Sequence, residues 1–240
     1  MNLEERSWIK TLTRNTGVSV FSRGDIENMP DRYRAQFISS LSGFKSANLI
    51  GTKSRDGQDN LAIVSSVVHI GAHPPLMMYI SRPDSADRHT LANIRETGFY
   101  TFNHITPSFY QQAHQTSARY SKEQSEFTET QLESKTIEGF HAPFVAQAPL
   151  KIAMRLRQEL PIEINGCVAI IGEVEFIEVD DLVISEDGHI NVEALGSVCV
   201  SGLDSYHSTQ ILDRLSYAKP GRPPHSLLKV ESDNSSNEKS

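Results

Sequence analysis

The dipeptide Asn165-Gly166 constrains the fold of this chain most, because it separates two long segments that have the character of strands. Asn-Gly is the strongest short-range signal for a two-residue hairpin turn, since both central residues of that turn take a positive φ. Residues 152–162 and 168–179 are therefore predicted to pair as antiparallel strands. The clean alternation in EVEFIEV predicts that the second strand keeps one face in water.

Shorter strand patterns precede this hairpin. Residues 47–53 and 60–70 flank a turn rich in Asp, Gly and Asn and predict a second hairpin, and residues 76–80 and 99–104 predict two more strands. Many short strands with few helices are typical of a mainly β fold closed as a barrel with short helical insertions. Residues 107–132 predict two short helices inserted between strands, and this insertion is a candidate cover for a ligand.

Composition argues against several classes of function. The formal charge is −7 and Lys and Arg form no cluster, which argues against a nucleic-acid surface. No apolar run approaches the roughly 18 residues that span a bilayer, and the charged N-terminus lacks the apolar core of a signal peptide. A cytoplasmic location without membrane contact is expected. Cys167 and Cys199 lack metal or redox spacing and are predicted to be reduced thiols, and no metal site is predicted at His69 and His73.

Two adjacent hydroxyls interrupt an apolar segment. Residues 61–70 are rich in β-branched side chains and almost free of charge, which predicts a strand buried on both faces. Ser65 and Ser66 lie within it, and adjacent residues of a regular strand point to opposite faces. Only one of the two hydroxyls can then face a given ligand, unless a bulge at this point changes the alternation.

The sequence becomes polar after the next strand, in SRPDSADRHT, just before a short amphipathic helix. The unpaired N–H groups and the positive dipole at a helix N-terminus favour an anion such as phosphate. Arg82 or Arg88 can add a charge-assisted hydrogen bond. Ser85 or Thr90 can add a hydroxyl. The alternative is a solvated capping turn in which Asp87 or Ser85 caps the helix, and both interpretations fit the spacing.

Several motifs follow one another in an order that resembles a known family. They are N-x-A-x-x-S-S from Asn60, H-P-P-L-M-M-Y-I from His73, S-R-P-x-x-x-D-R-H-T-L-x-N-I from Ser81 and G-F-Y-T-F-N from Gly98. Later blocks continue the likeness through APLKIAMRLRQELPI, VAIIGEVEFIEVDD, GLDSYH and YAKP. Together these motifs resemble the flavin reductase-like, FMN-binding split-barrel family, which includes flavoredoxin. The likeness covers residues 41–220, preceded by an N-terminal extension of residues 1–40 and followed by a polar tail of residues 221–240 that is expected to be disordered.

The resemblance implies a split barrel that forms a homodimer and binds FMN near the subunit interface. It implies that Ser65 and Ser66 lie beside the isoalloxazine and ribityl parts of FMN. The residues that it implies for the phosphate are Ser81, Arg82, Arg88, His89 and Thr90. Asn103 either contacts the site or ties down a loop. Tyr206 either approaches the flavin from the partner subunit or is a core tyrosine with a satisfied hydroxyl.

The resemblance also implies an activity. A flavin carries hydride and electron chemistry itself, so an enzyme of this kind needs no acid–base constellation in the chain. The first hypothesis is an oxidoreductase that takes hydride from NADH or NADPH and passes electrons to free flavin or another small acceptor. The alternative is a flavoredoxin-like carrier that receives electrons from a redox protein. A flavin-binding module without turnover is the third hypothesis.

Overall fold

The computed structural model describes residues 18–83 and 89–228. The described chain divides into two compact units, residues 18–208 and residues 209–228. The first unit contains every helix and strand named below. The domain limits of 41 and 220 stay a prediction. In these described ranges, no helix combines the length and the apolar character that crossing a membrane requires.

The first unit consists of short helices and antiparallel strands. The helices are α1 (Arg23–Glu27), α2 (Asp31–Ser40), α3 (His89–Thr97), α4 (Tyr110–Gln115) and α5 (Glu126–Thr130). The strands are β1 (Lys45–Ser46), β2 (Asn48–Lys53), β3 (Asp59–Val64), β4 (Val68–Ala72), β5 (Pro75–Ser81), β6 (Phe99–His104), β7 (Ser134–Lys135), β8 (Phe144–Val145), β9 (Leu150–Ile162), β10 (Cys167–Val179), β11 (Cys199–Ser201) and β12 (Ser205–His207). The insertion of residues 107–132 contains the two short helices predicted for it, α4 and α5.

Seven strands form one antiparallel sheet in the order β3-β2-β6-β9-β10-β5-β4. Its two edge strands, β3 and β4, are consecutive in the chain and are joined only by residues 65–67. A flat sheet of seven strands would hold its edges about 29 Å apart, at about 4.8 Å per strand. The link spans at most about 15 Å, since successive Cα atoms are about 3.8 Å apart. The sheet must therefore curl into a barrel that has a gap between β3 and β4.

The predicted hairpin around Asn165-Gly166 is confirmed and lies in the middle of the sheet. β9 and β10 pair from Ile162 opposite Cys167 to Leu150 opposite Val179. Gly166 takes a φ of +71°, as an Asn-Gly turn requires. The predicted hairpin of β2 and β3 is also confirmed, with Thr52 opposite Asn60.

Two clusters of buried apolar side chains stabilise the unit. The first joins α3 to the barrel strands and contains Ile50, Tyr79, Leu91, Ile94, Tyr100, Phe102, Leu150, Ile152, Met154, Val168 and Ile170. The second joins the insertion to β2, β3 and β11 and contains Ala47, Leu49, Leu61, Ile105, Phe109, Ala113, Phe127, Leu132, Val145, Ala148, Val198 and Val200. The insertion is therefore part of the core, and not a separate layer laid over it.

The prediction of one buried strand over residues 61–70 is wrong. β3 ends at Val64, and β4 begins at Val68 as an exposed strand. Val68 and Ile70 keep 46% and 44% of their surface in water. The physical reason is a change of partner, because β3 pairs with β2 whereas β4 pairs with β5 at the other edge of the sheet. A run of β-branched residues indicates strand character, but it does not indicate where a strand changes its neighbour.

Candidate functional site

Four predicted site residues lie together at the gap of the barrel, and we call Ser65, Ser66, Ser81 and Arg82 the gap group. Ser66 Oγ accepts a hydrogen bond from the amide of Ile80 at 3.0 Å and donates to the carbonyl oxygen of Ile80 at 3.2 Å. This pair of bonds fixes the link between β3 and β4 against the end of β5, where Ser81 and Arg82 follow. Ser65 and Ser66 are half-buried, Ser81 is buried and Arg82 is exposed.

A lysine that sequence reasoning missed lies near the gap group. Lys45 Nζ donates to the carbonyl oxygens of Ser39 at 2.9 Å and Gly202 at 2.8 Å, and to Ser39 Oγ at 3.1 Å. Burial lowers the pKa of Lys45, and the positive charge of Arg82 lowers that pKa further. Two cations thus lie near each other on a chain with a net charge of −7. No local pattern marks Lys45, because its partners lie on α2 and in the turn before β12.

The start of α3 carries a second polar group, and we call His89 and Thr90 the helix group. Asn60 Nδ2 donates to Thr90 Oγ1 at 2.9 Å and to Thr52 Oγ1 at 3.2 Å. Asn93 Nδ2 donates to the same Thr52 oxygen at 3.1 Å. These bonds fix the first turns of α3 on the start of β3. Asn60 belongs to the N-x-A-x-x-S-S motif, so the motif contained this residue without indicating its contact.

Part of the predicted phosphate turn lies outside the described residues. Arg88 and the alternative capping residues Ser85 and Asp87 belong to the undescribed residues 84–88. The choice between an anion site and a solvated capping turn therefore stays a prediction.

The free edge of β3 connects the two groups. The amide of Leu61 donates to Glu126 Oε2 at 2.9 Å, so this amide points away from β2. Backbone groups alternate between the two sides of an antiparallel strand, so Ile63 presents its N–H and C=O on the same free side. Burial raises the pKa of Glu126, while the hydrogen bond from Leu61 and the nearby His89 oppose that rise. Glu126 is a further residue that sequence reasoning missed.

The gap group and the helix group lie at opposite ends of β3. Asn60 holds the helix group, and Ser65 lies five residues further along, about 17 Å away at about 3.3 Å per residue. The five residues predicted to hold phosphate are therefore divided, with Ser81 and Arg82 beside Ser66 and the helix group at the start of β3. Hydroxyls, an exposed strand edge and nearby cations form a donor set that fits an elongated ligand with a polar ring system and an anionic group.

Asn103 lies in the interior with no exposed surface. Its Nδ2 donates to Thr101 Oγ1 at 2.8 Å and to the carbonyl oxygen of Leu49 at 3.2 Å. Its Oδ1 accepts from the amide of Val145 in β8 at 2.9 Å. Both side-chain N–H bonds are used within the protein, so the contacts of Asn103 are those of a residue that ties down a loop. Its predicted contact with a flavin stays a prediction.

Tyr206 has the environment of a tyrosine with a satisfied hydroxyl. Its oxygen lies 3.0 Å from Nδ1 of His114 on α4, and its ring lies 5.4 Å from that of Tyr110. Burial, followed by the charge of Asp204, raises the pKa of Tyr206 to about 12. Tyr206 therefore anchors the insertion to β12 within one chain. Whether it also contacts a partner subunit stays a prediction.

Metal chemistry finds no ligand set in the described part of the chain. No three His, Cys, Asp or Glu side chains among residues 18–83 and 89–228 come together as metal ligands. Cys167 and Cys199 are free thiols that are each partly exposed.

Solved structures identify the fold. The chain is similar to a Shewanella frigidimarina protein provisionally described as a flavin reductase with a split barrel domain, at 50% identity and a TM-score of 0.81, over 84% of this chain and 100% of that one. Nitrilotriacetate monooxygenase component B from Bacillus cereus matches at 20% identity and a TM-score of 0.71, over 84% of this chain and 100% of that chain. Flavoredoxin of Desulfovibrio vulgaris matches at 19% identity and a TM-score of 0.61, over 75% of this chain and 92% of that chain. The fold class is therefore a mainly β split barrel, as predicted.

The sequence identifies the family. The family model described as "Flavin reductase like domain" matches residues 41–205. The chain belongs to the flavin reductase-like family, which confirms the resemblance inferred from its motifs.

Proposed function

We propose that this protein is an FMN-binding oxidoreductase in which NADH or NADPH reduces the flavin. The observation that carries the proposal is the presence of two polar groups at the two ends of one free strand edge, in a flavin reductase-like chain. Bound FMN supplies the hydride and electron chemistry. The residues of the chain bind the flavin, orient it and exclude water, and no side chain is assigned a catalytic role.

The two groups have different roles in this proposal. The gap group and the free edge of β3 lie beside the ring and the ribityl chain. The helix group, together with Arg88, holds the phosphate at the N-terminus of α3, where unpaired N–H groups and the helix dipole favour an anion. Arg82 reaches the phosphate from the gap side with its long side chain. Asn103 supports this arrangement from the interior by holding β8.

A flavoredoxin-like electron carrier is the second candidate, and β4 is the observation that favours it. Val68 and Ile70 are 46% and 44% exposed on this edge strand, directly after the gap group. An exposed apolar edge next to a redox site fits a protein partner as well as it fits a second copy of this chain. In either case the protein is proposed to act as a cytoplasmic homodimer, as the resemblance and the N-terminal sequence imply.

Anaerobic stopped-flow mixing separates the two candidates. The protein is loaded with FMN and mixed with NADH or NADPH, and the absorbance of oxidised flavin is followed against the same concentration of free FMN. Rapid loss of this absorbance, far above the rate for free FMN, is the expected result. If neither nucleotide reduces the bound flavin while dithionite does, the reductase assignment is wrong and the carrier is favoured. If the protein binds no FMN, both candidates are wrong.

A further inference from the structure

We infer that Glu126 closes the flavin site at Leu61 and thereby selects the flavin mononucleotide over the dinucleotide. The inference rests on the proposed function, because it concerns which flavin the same site accepts.

The first step is the position of the carboxylate. Glu126 is 7% exposed, and its Oε2 lies 2.9 Å from the amide nitrogen of Leu61 on the free edge of β3. The preceding residue, Asn60, holds Thr90 through a bond of 2.9 Å. The carboxylate and the helix group therefore contact adjacent residues of β3. A ligand that runs along this edge from the gap group meets Glu126 where the phosphate is proposed to lie.

The second step is that Glu126 cannot move aside easily. It lies in the first turn of α5, and the next residue, Phe127, is 5% exposed within the core. Thr130 Oγ1 donates to the carbonyl oxygen of Glu126 at 2.6 Å, which fixes the same turn. Moving the carboxylate away would also leave the buried amide of Leu61 without its acceptor, which is unfavourable. Glu126 is thus a fixed wall at this point of the strand edge.

The third step is the shape of the two flavins. The phosphate of FMN is the end of the molecule, so FMN fits between the gap group and Glu126. FAD continues past this phosphate with a second phosphate and an adenosine, which would have to occupy the space that the Glu126 side chain fills. Glu126 is therefore a specificity-determining positioning residue, and it takes no part in electron transfer.

Equilibrium titrations with FMN and FAD test this inference, with binding followed by flavin fluorescence. Glu126→Gln keeps a side chain of the same size and an acceptor for Leu61, so its FMN-to-FAD affinity ratio should equal that of the wild type. Glu126→Ala and Glu126→Ser open the wall, and each should lower this ratio by about tenfold or more. Glu129→Ala, on the exposed side of the same helix, is the matched control and should leave the ratio unchanged.

Folding of each variant is checked by circular dichroism, and Glu126→Ser provides a second reading if Glu126→Ala does not fold. A merely structural role would lower stability without changing the preference between the two flavins. The inference is overturned if the folded short variants keep the wild-type ratio, or if the wild type already binds FAD as tightly as FMN. A wild type that binds neither flavin overturns the proposed function itself, which is a distinguishable result.

Discussion

The polar side chains near the barrel gap differ in how much hydrogen-bonding capacity they keep for a ligand. Lys45 and Asn103 use every side-chain N–H within the protein. The side chains of Ser65 and Arg82, by contrast, make no hydrogen bond to another residue of the described ranges. Residues of the first kind set the geometry of the site. Residues of the second kind are the ones whose substitution should change ligand affinity directly.

Arg82→Gln should weaken FMN binding by about ten- to a hundredfold, because a hydrogen bond to a charged group contributes about 1.5 to 3 kcal/mol. Riboflavin, which lacks the phosphate, should bind this variant as it binds the wild type. Arg157→Gln is the matched control, since Arg157 is an exposed arginine on β9 paired with Glu173 at 3.2 Å. Fluorescence titration measures all these affinities. Equal losses for FMN and riboflavin would assign Arg82 to the ring end of the site instead.

His104 should make folding stability depend on pH in an acidic window. Burial lowers its pKa from 6.5 to about 4, so the fold favours the neutral imidazole. Between these values the unfolded chain binds a proton that the folded chain does not, so stability is present above pH 6.5 and is lost as pH falls toward 4. The loss amounts to at most about 3 kcal/mol, from about 1.4 kcal/mol per pKa unit.

Urea unfolding at pH 7 and pH 4.5 checks this prediction. His104→Gln lacks the titrating group and should lose less stability between the two pH values than the wild type does. Equal losses in the two proteins would show that His104 does not contribute to the acid sensitivity.

Among the elements, the insertion of residues 107–132 is where core packing and a role as ligand cover can be distinguished. Phe127→Ala should lower the free energy of unfolding by about 3 to 5 kcal/mol, because a buried phenylalanine leaves a cavity when it is truncated. Glu129→Ala on the same helix should change this energy by less than about 0.5 kcal/mol. Chemical denaturation measures both values. If Phe127→Ala weakened flavin binding without lowering stability, the insertion would act as a cover and not as part of the core.

The elements that sequence predicted correctly are those set by local chemistry. Asn165-Gly166 indicated its hairpin because the turn conformation depends on those two residues alone. The break at residues 65–67 was missed because it depends on Ile80, which lies outside the segment. Glu126 was missed for the same reason, since its partner Leu61 lies 65 positions away in the sequence. Residue types therefore predicted the strands and the candidate ligand groups, whereas tertiary contacts decide which groups lie together.

At the scale of the whole molecule, the exposed edge strand β4 predicts self-association. Val68 and Ile70 lie on the same face of this strand, and its outer edge has no partner strand among the described residues. Multi-angle light scattering at micromolar concentration should therefore give twice the chain mass of 26.8 kDa. Ile70→Lys should weaken the dimer by placing a charge in the interface, whereas Leu182→Lys, at a residue that is 89% exposed outside this strand, should not. A wild-type monomer would contradict the prediction.

The central position of the β9–β10 hairpin has a consequence for how the chain is synthesised. β6 pairs with β9 on one side of this hairpin, and β5 pairs with β10 on the other. Until the ribosome has released residues 150–179, the chain can form only two separate pieces of sheet, β3-β2-β6 and β4-β5. Each piece leaves a strand edge unpaired, and such edges are prone to aggregation. Nascent chains that end before residue 150 should therefore bind chaperones, and release should coincide with the emergence of this hairpin.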